Sequence, residues 1–441
     1  MKTNLFTLCM IIFTTVTFGQ AAHILQGVGS VNWSMGGAAT GQPVDISGAL
    51  QWNPAAITVF DGTTVNFDIG LFTSSPELFS TVPEVDGDGM PTGNFISGNT
   101  EDDRPNIPLP SLAIVFGKEN SKSKFGASIF GISGAGVNFP ESNTNPINFP
   151  QALGGFGGVK SEYAIIQLGL SYAYQVSEHF SVGIKPSFSL STLELSPNPT
   201  APPTSAGYPK TDVATASGIN AQLGLFYDSK TGFKAGVSYS TKIKFNDFEL
   251  ENTYLDGSTG TNDFNIEYPA ILSFGIGYSK NDFDLAIDYR HVAFEDTEGL
   301  APVGWTAMGT VKGFGWKNIS IISAGLQYKG IDRLPLRIGY TNNSSPIEDR
   351  FASFNVPAAA IIENAFQFGF TYEASEKLHL RAVFHYGTSN GKTSGEIFSP
   401  LLVQDYPPYG SVPGSNVSYD MTTSMIMGGL SYKFAKKSTE D

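Results

Sequence analysis

Residues 162–176 alternate. Ala164, Ile166, Leu168, Leu170, Tyr172 and Tyr174 share one parity, and Gln167, Gly169, Ser171, Ala173 and Gln175 share the other. In 364–374, Phe366, Phe368, Phe370 and Tyr372 alternate with Gln367, Gly369, Thr371 and Glu373. In 377–388, Leu378, Leu380, Ala382, Phe384 and Tyr386 alternate with His379, Arg381, Val383, His385 and Gly387. A period of two places successive side chains on opposite faces of a strand, so each run predicts a strand with one apolar face. Comparable runs occupy 64–72, 111–117, 125–139, 180–195, 214–228, 233–248, 264–279, 283–294, 319–329, 334–342 and 417–434. The total is about fourteen, an even number as single-chain outer-membrane barrels have.

The connectors alternate in length. Short ones lie at 118–124, 176–179, 228–232, 279–282, 329–333 and 374–377. Long ones lie at 73–110, 140–161, 196–212, 249–262, 295–316, 343–361 and 389–416. Short turns on one side and long loops on the other are the rhythm of a membrane barrel. The apolar parities are also too continuous for a face in water. Tyr172, Tyr174, Tyr227, Tyr278, Tyr289, Tyr328, Tyr340, Tyr432 and Phe434 stand near strand ends, where interfacial girdles form. Ile426, Gly428, Leu430, Tyr432 and Phe434 share a parity in the last strand, and a polar tail, 435–441, follows. The expected fold is all-β, a fourteen-stranded antiparallel transmembrane β-barrel spanning 58–434.

Composition agrees and excludes alternatives. Only 15% of the 441 residues are charged, against roughly 25% in soluble domains. Mean hydropathy is −0.05, and no apolar run of about 18 residues crosses the body of the chain, which argues against membrane helices. A net charge of −14 argues against nucleic-acid binding, which needs a basic face. Lys2, the apolar stretch 5–18 and the small residues from Gly19 to Ala22 form a signal peptide, assigned to 1–20. The one cysteine, Cys9, lies within it, so the mature chain has neither disulfides nor thiolate chemistry.

Residues 21–57 precede the first strand and carry Gly27, Gly29, Gly36, Gly37, Gly41 and Gly48. A simple pore has no need of such a segment. The run Gly36-Gly37-Ala38-Ala39, then Asp45, then Gln51-Trp52-Asn53-Pro54-Ala55-Ala56-Ile57 resembles the start of FadL/TodX-type outer-membrane transporters of hydrophobic compounds. Gly339-Tyr340, Ser345-Pro346, Arg350, Val356 and Pro357 resemble the loop after that family's eleventh strand. The resemblance implies that 21–57 enters the lumen as an N-terminal hatch, with Asn53, Pro54 and Ala55 as its motif. It implies capture of ligand by outside loops, an apolar lumen pocket, and lateral release beside a kinked third strand. Here that strand is 125–139, and Gly131, Gly134 and Gly136 are the candidate kink residues. Glycine within a strand marks a bulge or bend.

A fatty acid would also need a partner for its carboxylate. By parity the inward cations are Lys185, Lys234, Arg290, Arg337 and Arg381; Lys185, Arg290, Arg337 and Arg381 are the carboxylate candidates. The competing assignment pairs them with Asp284, Asp288 and Glu373 to hold the lumen together. Other motifs are weak. Glu84-Val85-Asp86-Gly87-Asp88-Gly89 resembles part of a calcium loop but has no later bidentate Glu. His379 and His385 stand roughly 20 Å apart along a strand, too far to share a metal. The Gly-rich 154–158 has no Lys-Ser/Thr for phosphate. No catalytic residue, metal ligand or cofactor site is assigned.

The expected function is passive transport of hydrophobic small molecules, such as long-chain fatty acids or aromatic hydrocarbons, in the outer membrane of a Gram-negative bacterium. The expected partners are the ligand, outer-membrane lipid and the barrel-assembly machinery, around a monomer. Two other classes stay open. An outer-membrane protease or lipid hydrolase would need a rim site, for which His291 with Glu295 and Asp296 is the best candidate. A general porin would have no front segment.

Overall fold

The computed structural model describes residues 23–87, 90–118 and 120–434. The signal peptide 1–20, residues 21 and 22 of the front segment, Asp88 and Gly89 of the acidic loop, and the tail 435–441 lie outside the described residues.

Fourteen strands form the wall: β1 (Thr64–Val85), β2 (Ile107–Phe116), β3 (Ser123–Phe139), β4 (Val159–Gln175), β5 (Phe180–Ser196), β6 (Ala214–Asp228) and β7 (Phe233–Ser240). The second half comprises β8 (Ala270–Lys280), β9 (Phe283–Ala293), β10 (Ile319–Tyr328), β11 (Leu336–Asn343), β12 (Ile362–Glu373), β13 (Leu378–Ser389) and β14 (Asn416–Lys433). Each pairs antiparallel with the next. The ring closes where β14 pairs with β1, from Thr64 opposite Lys433 to Thr81 opposite Asn416. Closure pairs the first strand with the last, the sheet arrangement that a bilayer tolerates.

The two parities do what the alternation predicted. Leu170, Ile276 and Phe368 are 57%, 51% and 50% exposed on the outer face, while Gln167, Ser171, Ser273 and Gln367 are buried within. Rings cluster at the short-turn rim: Phe116 with Phe125, Phe125 with Tyr172, Phe180 with Tyr227, Phe283 with Tyr328 and Tyr432 with Phe434. An amphipathic ring sits well at the boundary between hydrocarbon and water, which accounts for a girdle there.

Three expectations of the sequence are corrected. Residues 73–110 are not simply a loop. β1 runs on to Val85, and a strand at Pro91–Glu101 folds back onto it. Pro76 sits in register opposite Met421 and the alternation continues past it. The run 233–248 is not one strand either. β7 stops at Ser240, Lys244–Phe245 pairs with β6, and Phe248–Thr253 joins Thr259–Phe264 and Lys210–Thr211 in a small outer sheet. Likewise β8 begins at Ala270, immediately after Pro269, and not at 264. Polar Asn246-Asp247 interrupts the apolar parity, and Pro269 cannot donate to a ladder.

The lumen has two chemistries. Toward the short turns its wall is polar, with Gln167, Ser171, Lys185, Gln222 and Ser238 buried. Toward the long loops it is apolar, with Phe139, Tyr163, Ile165, Leu193, Phe294 and Trp316 in one buried cluster. Leu168, outward on β4 and 43% exposed, tests the assignment of faces. Leu168→Arg should cost about 2–4 kcal/mol in folding titrations into lipid vesicles, as a midplane cation does; an unchanged midpoint would place that face off the lipid.

Candidate functional site

The polar half of the lumen is occupied by the chain's own N-terminal segment. Residues 23–43 and 46–57 are buried throughout. They form α1 (Gly29–Ser34), α2 (Ile46–Trp52) and the start of a 3-10 turn, Pro54–Val59. Asp45 caps α2 by accepting from the Gly48 N–H at 3.0 Å. Asn53 caps the 3-10 turn by accepting from the Ala55 N–H at 3.1 Å, with Pro54 at the first position, where its missing N–H does no harm.

Asn53 also reaches in two directions. Its amide donates to the Thr40 carbonyl at 2.9 Å and to the Leu225 carbonyl of β6 at 3.0 Å. One side chain thus ties the segment to itself and to the wall. The wall makes room with glycine. A Cβ on Gly224 would lie 2.2 Å from Asn53 Oδ1, and one on Gly236 would lie 1.9 Å from the Thr40 oxygen. Gly183, Gly275, Gly325 and Gly339 admit the backbone at Ala55, Gly41, Met35 and Gly36 in the same way.

Buried charges join the segment to the wall. Asp68 of β1 accepts from the N–H and hydroxyl of Ser30 at 3.1 and 2.6 Å and pairs with Arg381 at 2.8 Å. Arg381 also lies 3.5 Å from Asp45. Burial raises the Asp45 carboxyl above the usual carboxylate range, against the pull of Arg381. Asp288 of β9 accepts from the N–H groups of Ala39 and Thr40, both at 2.8 Å, and pairs with Arg290 at 2.9 Å. Arg290 donates to the Gly37 carbonyl at 2.6 Å and stacks 3.7 Å over the Trp52 ring. Lys185 donates to the Leu50 carbonyl at 3.0 Å.

The sequence-derived cations are therefore found in two settings. Lys185, Arg290 and Arg381 are buried against the N-terminal segment; Arg337 is buried and donates to Gln327 and Thr371 within the wall, at 2.6 and 2.8 Å. Lys234 reaches Gln42 at 3.3 Å. The Asp288 partnership with Arg290 follows the competing assignment; Asp284 instead takes Lys329 at 2.9 Å.

Above the segment, the long connector after β11 folds inward. Its 3-10 stretch, Asp349–Ala358, buries Phe351, Phe354, Asn355 and Val356. Asn355 accepts from the Trp316 indole at 2.7 Å and donates to the carbonyls of Phe314 and Phe351. Nothing in the alternation marked this inward fold, since its apolar residues follow no period of two.

Of the three glycines singled out in the third strand, Gly131 adjoins an irregularity, while Gly134 and Gly136 stay paired with Ala164 and Glu162. The β3–β4 register shifts between Gly131 and Ser133. On its other side β3 pairs with β2 only from Phe125 to Phe130. Residues 107–110 of β2 stay on β1 alone, and this stretch contains Pro108 and Pro110, which have no N–H to give. The N-terminal segment takes the vacated place. Leu25 N–H donates to the Ile132 carbonyl at 3.2 Å, Gly134 N–H donates to the His23 carbonyl at 3.3 Å, and Ile24 bridges to Ser133. A Cβ on Gly136 would meet the Ser161 oxygen at 2.3 Å. His23 was not singled out by sequence. It is isolated in the chain and carries no motif.

Elsewhere, Glu84 accepts from Thr92 and Asn94 across the outer hairpin. Among the described residues no cluster of His, Cys, Asp and Glu is arranged for a metal.

The family described as outer membrane protein transport protein (OMPP1/FadL/TodX) matches residues 12–434. A search of curated protein sequences finds no match. Among solved structures, a Pseudomonas aeruginosa FadL homologue is 15% identical, with a TM-score of 0.69 over 94% of this chain and 100% of that one. The P. putida toluene transporter TodX is 17% identical, with a TM-score of 0.65 over 93% and 99%. The Ralstonia pickettii toluene transporter TbuX is 17% identical, with a TM-score of 0.60 over 93% and 99%. At these identities the likeness establishes the fold. The chain belongs to the OMPP1/FadL/TodX family of outer-membrane transport proteins, and its place is the outer membrane of a Gram-negative bacterium.

The glycine seats are testable. Gly236→Ala should destabilise the protein by about 1–3 kcal/mol in detergent, the usual range for overpacking. Gly260→Ala, where a Cβ meets nothing within 4 Å, should leave the unfolding temperature unchanged. Equal effects would show that Gly236 is not a seat.

Proposed function

We propose that this family member carries hydrophobic small molecules, aromatic hydrocarbons or long-chain fatty acids, passively through the outer membrane. Outer loops capture the molecule, the apolar outer half of the lumen holds it, and it leaves sideways between β2 and β3. In this reading 23–57 is the hatch that closes the barrel. The observation that carries the reading is the exchange of partners at β3: beyond Phe130 its pairing with β2 stops and His23–Leu25 stands in. Non-covalent pairing by a terminal segment can be undone, whereas a continuous β2–β3 ladder could not be opened so locally.

Physical chemistry favours the sideways route. Below the apolar cluster lies the polar contact between hatch and wall. A greasy solute forced through it would lose about 0.8 kcal/mol for each CH₂ left in a wet passage. Lys185, Arg290 and Arg381 serve the hatch in this scheme. Any carboxylate delivered to them would have to displace a carbonyl or an ion pair already made.

The alternatives receive less support. His291 has no hydrogen-bonded Ser or Thr among the described residues, and Glu295 is taken by Asn318 at 2.8 Å, so a rim hydrolase has no nucleophile in place. A general porin needs an open lumen, and the N-terminal segment occupies this one.

Two experiments test the scheme. The mature chain has no native cysteine on the signal-peptide assignment, so Ser111→Cys with Phe130→Cys, the last pair in register, places a lone pair at the edge of the seam at strand-neighbour distance. Oxidation should lower uptake of radiolabelled toluene and oleate at least about tenfold if the gate carries the flux, and reductant should restore it; full uptake by the oxidised form would rule out lateral exit. Deleting 23–57 should raise bilayer conductance and leak of small polar dyes. An unchanged leak would remove the hatch from the scheme.

A further inference from the structure

The seam between β2 and β3 has an upper end as well as a lower one. At the lower end the last pair in register is Ser111 with Phe130. At the upper end the chain leading from the outer hairpin into β2 crosses to β3. The Asp103 N–H donates to the Asn138 carbonyl at 2.9 Å, and the Asn138 N–H donates to the Asp102 carboxylate at 2.5 Å. Between these contacts lie residues 131–137 of β3, about 20 Å of strand at about 3.3 Å per residue. The N-terminal segment bonds only the lower part of that stretch, at Ile132 and Gly134, with a bridge at Ser133.

Arg104 stands at the upper part. Its Nε donates to Asp102 at 3.0 Å, and its Nη2 donates to the Ser74 hydroxyl of β1. Its Nη1 lies 3.0 Å from where a Cβ on Gly136 would stand, so the guanidinium rests against β3 where glycine leaves room. One side chain thus reaches from β1 to β3 across the top of the seam. The Arg104 and Asp102 side chains are 4% and 1% exposed. Stability is a poor reason for them. A buried ion pair gains little over apolar packing, and here Nη1 is also buried without a hydrogen-bond partner. The margin is braced from behind. The Asn145 amide, in the loop after β3, donates to the Leu78 carbonyl of β1 at 3.1 Å and to the Thr100 hydroxyl of the outer hairpin at 2.9 Å.

We propose that Arg104, positioned by Asp102, sets the upper limit on the width of molecules that leave through this seam. The proposal rests on the reading of lateral exit. A molecule moving sideways passes between the Ser111–Phe130 pair and the guanidinium. The terminal segment is held at β3 by two backbone hydrogen bonds and can give way. The guanidinium is fixed on both sides, by Asp102 and by Ser74, and stays. The site therefore selects slender apolar molecules, a single ring or an acyl chain passing end-on, over broad polycyclic ones.

The test compares uptake of radiolabelled toluene, naphthalene and pyrene, in order of increasing width, by cells carrying the full protein. Wild-type uptake should fall along the series; a flat series would overturn the limit. Arg104→Ala should raise the ratio of pyrene to toluene uptake by at least about tenfold, the lower end of steric discrimination by a pocket, with toluene uptake unchanged. Arg104→Lys keeps a cation beside Asp102 and should hold the ratio near the wild-type value. Asp102→Asn keeps an acceptor for the Asn138 N–H but loses the ion pair, and should raise the ratio part of the way. It decides the matter should Arg104→Ala fail to reach the membrane. An unchanged ratio in the folded variant would overturn the role of Arg104. Failure of lateral exit reads differently: the oxidised Ser111→Cys, Phe130→Cys protein would then take up toluene at the full rate, and this proposal would fall with it.

Discussion

At membrane depth a backbone amide has no water to fall back on, so every N–H and C=O must find a partner within the protein. The closed ring of fourteen strands meets that demand almost everywhere. It fails at one seam, where β2 carries Pro108 and Pro110 and β3 bulges between Gly131 and Ser133. The shortfall is met from inside, by the carbonyl of His23 and the N–H of Leu25. The rest of the molecule can be ordered around this fact. A segment able to serve the seam has to enter the lumen, fold there and be held.

Holding it is a problem of space and of charge. A barrel of this size filled with side chains would leave no room for a second backbone. The wall therefore presents glycines where the segment passes, and its backbone comes within contact of the strands at Gly224, Gly236, Gly275 and Gly339. The buried ion pairs do a different task. Taking Asp68, Asp288, Arg290 and Arg381 out of water is costly, and such pairs contribute little net stability against apolar packing. They do fix register. Asp68 meets Ser30, and Asp288 meets Ala39 and Thr40, so α1 and the turn after it can sit in only one way.

The fold was legible because lipid leaves a plain mark. Outward Leu168, Phe368 and Ile276 alternate with inward polar residues, and the connectors keep their short-long rhythm. What was hidden depends on partners distant in sequence. β1 continues past Pro76 because β14 lies beside it, a fact that local propensity cannot see. The apolar stretch 349–362 reads as a loop until its contacts with Trp316 and Tyr419 are known. The glycines of β3 could be picked out, since glycine in a strand is unusual in itself. The cations could be picked out as inward, but parity carries no information about whether a ligand or a carbonyl of the hatch meets them. His23 bears no pattern at all; only its burial and its missing partners draw notice.

The two halves of the lumen give the path a direction. Toward the outside, Tyr163, Leu193, Phe294 and Trp316 form a buried apolar cluster, which in the proposed scheme takes the greasy molecule out of water. Inward of Trp52 the surroundings become amide, hydroxyl and ion pair, many of them bonded between the segment and the wall. Going on would mean separating those partners without replacing them, at a cost per pair comparable to the whole gain from burying a methyl group or two. The bulge at Ile132 stands at the level where the two chemistries meet. There β3 pairs on one side with β4 and on the other with the chain's own N-terminus in place of β2. The discontinuity that the N-terminal segment repairs is thus the place where the proposed scheme puts the exit.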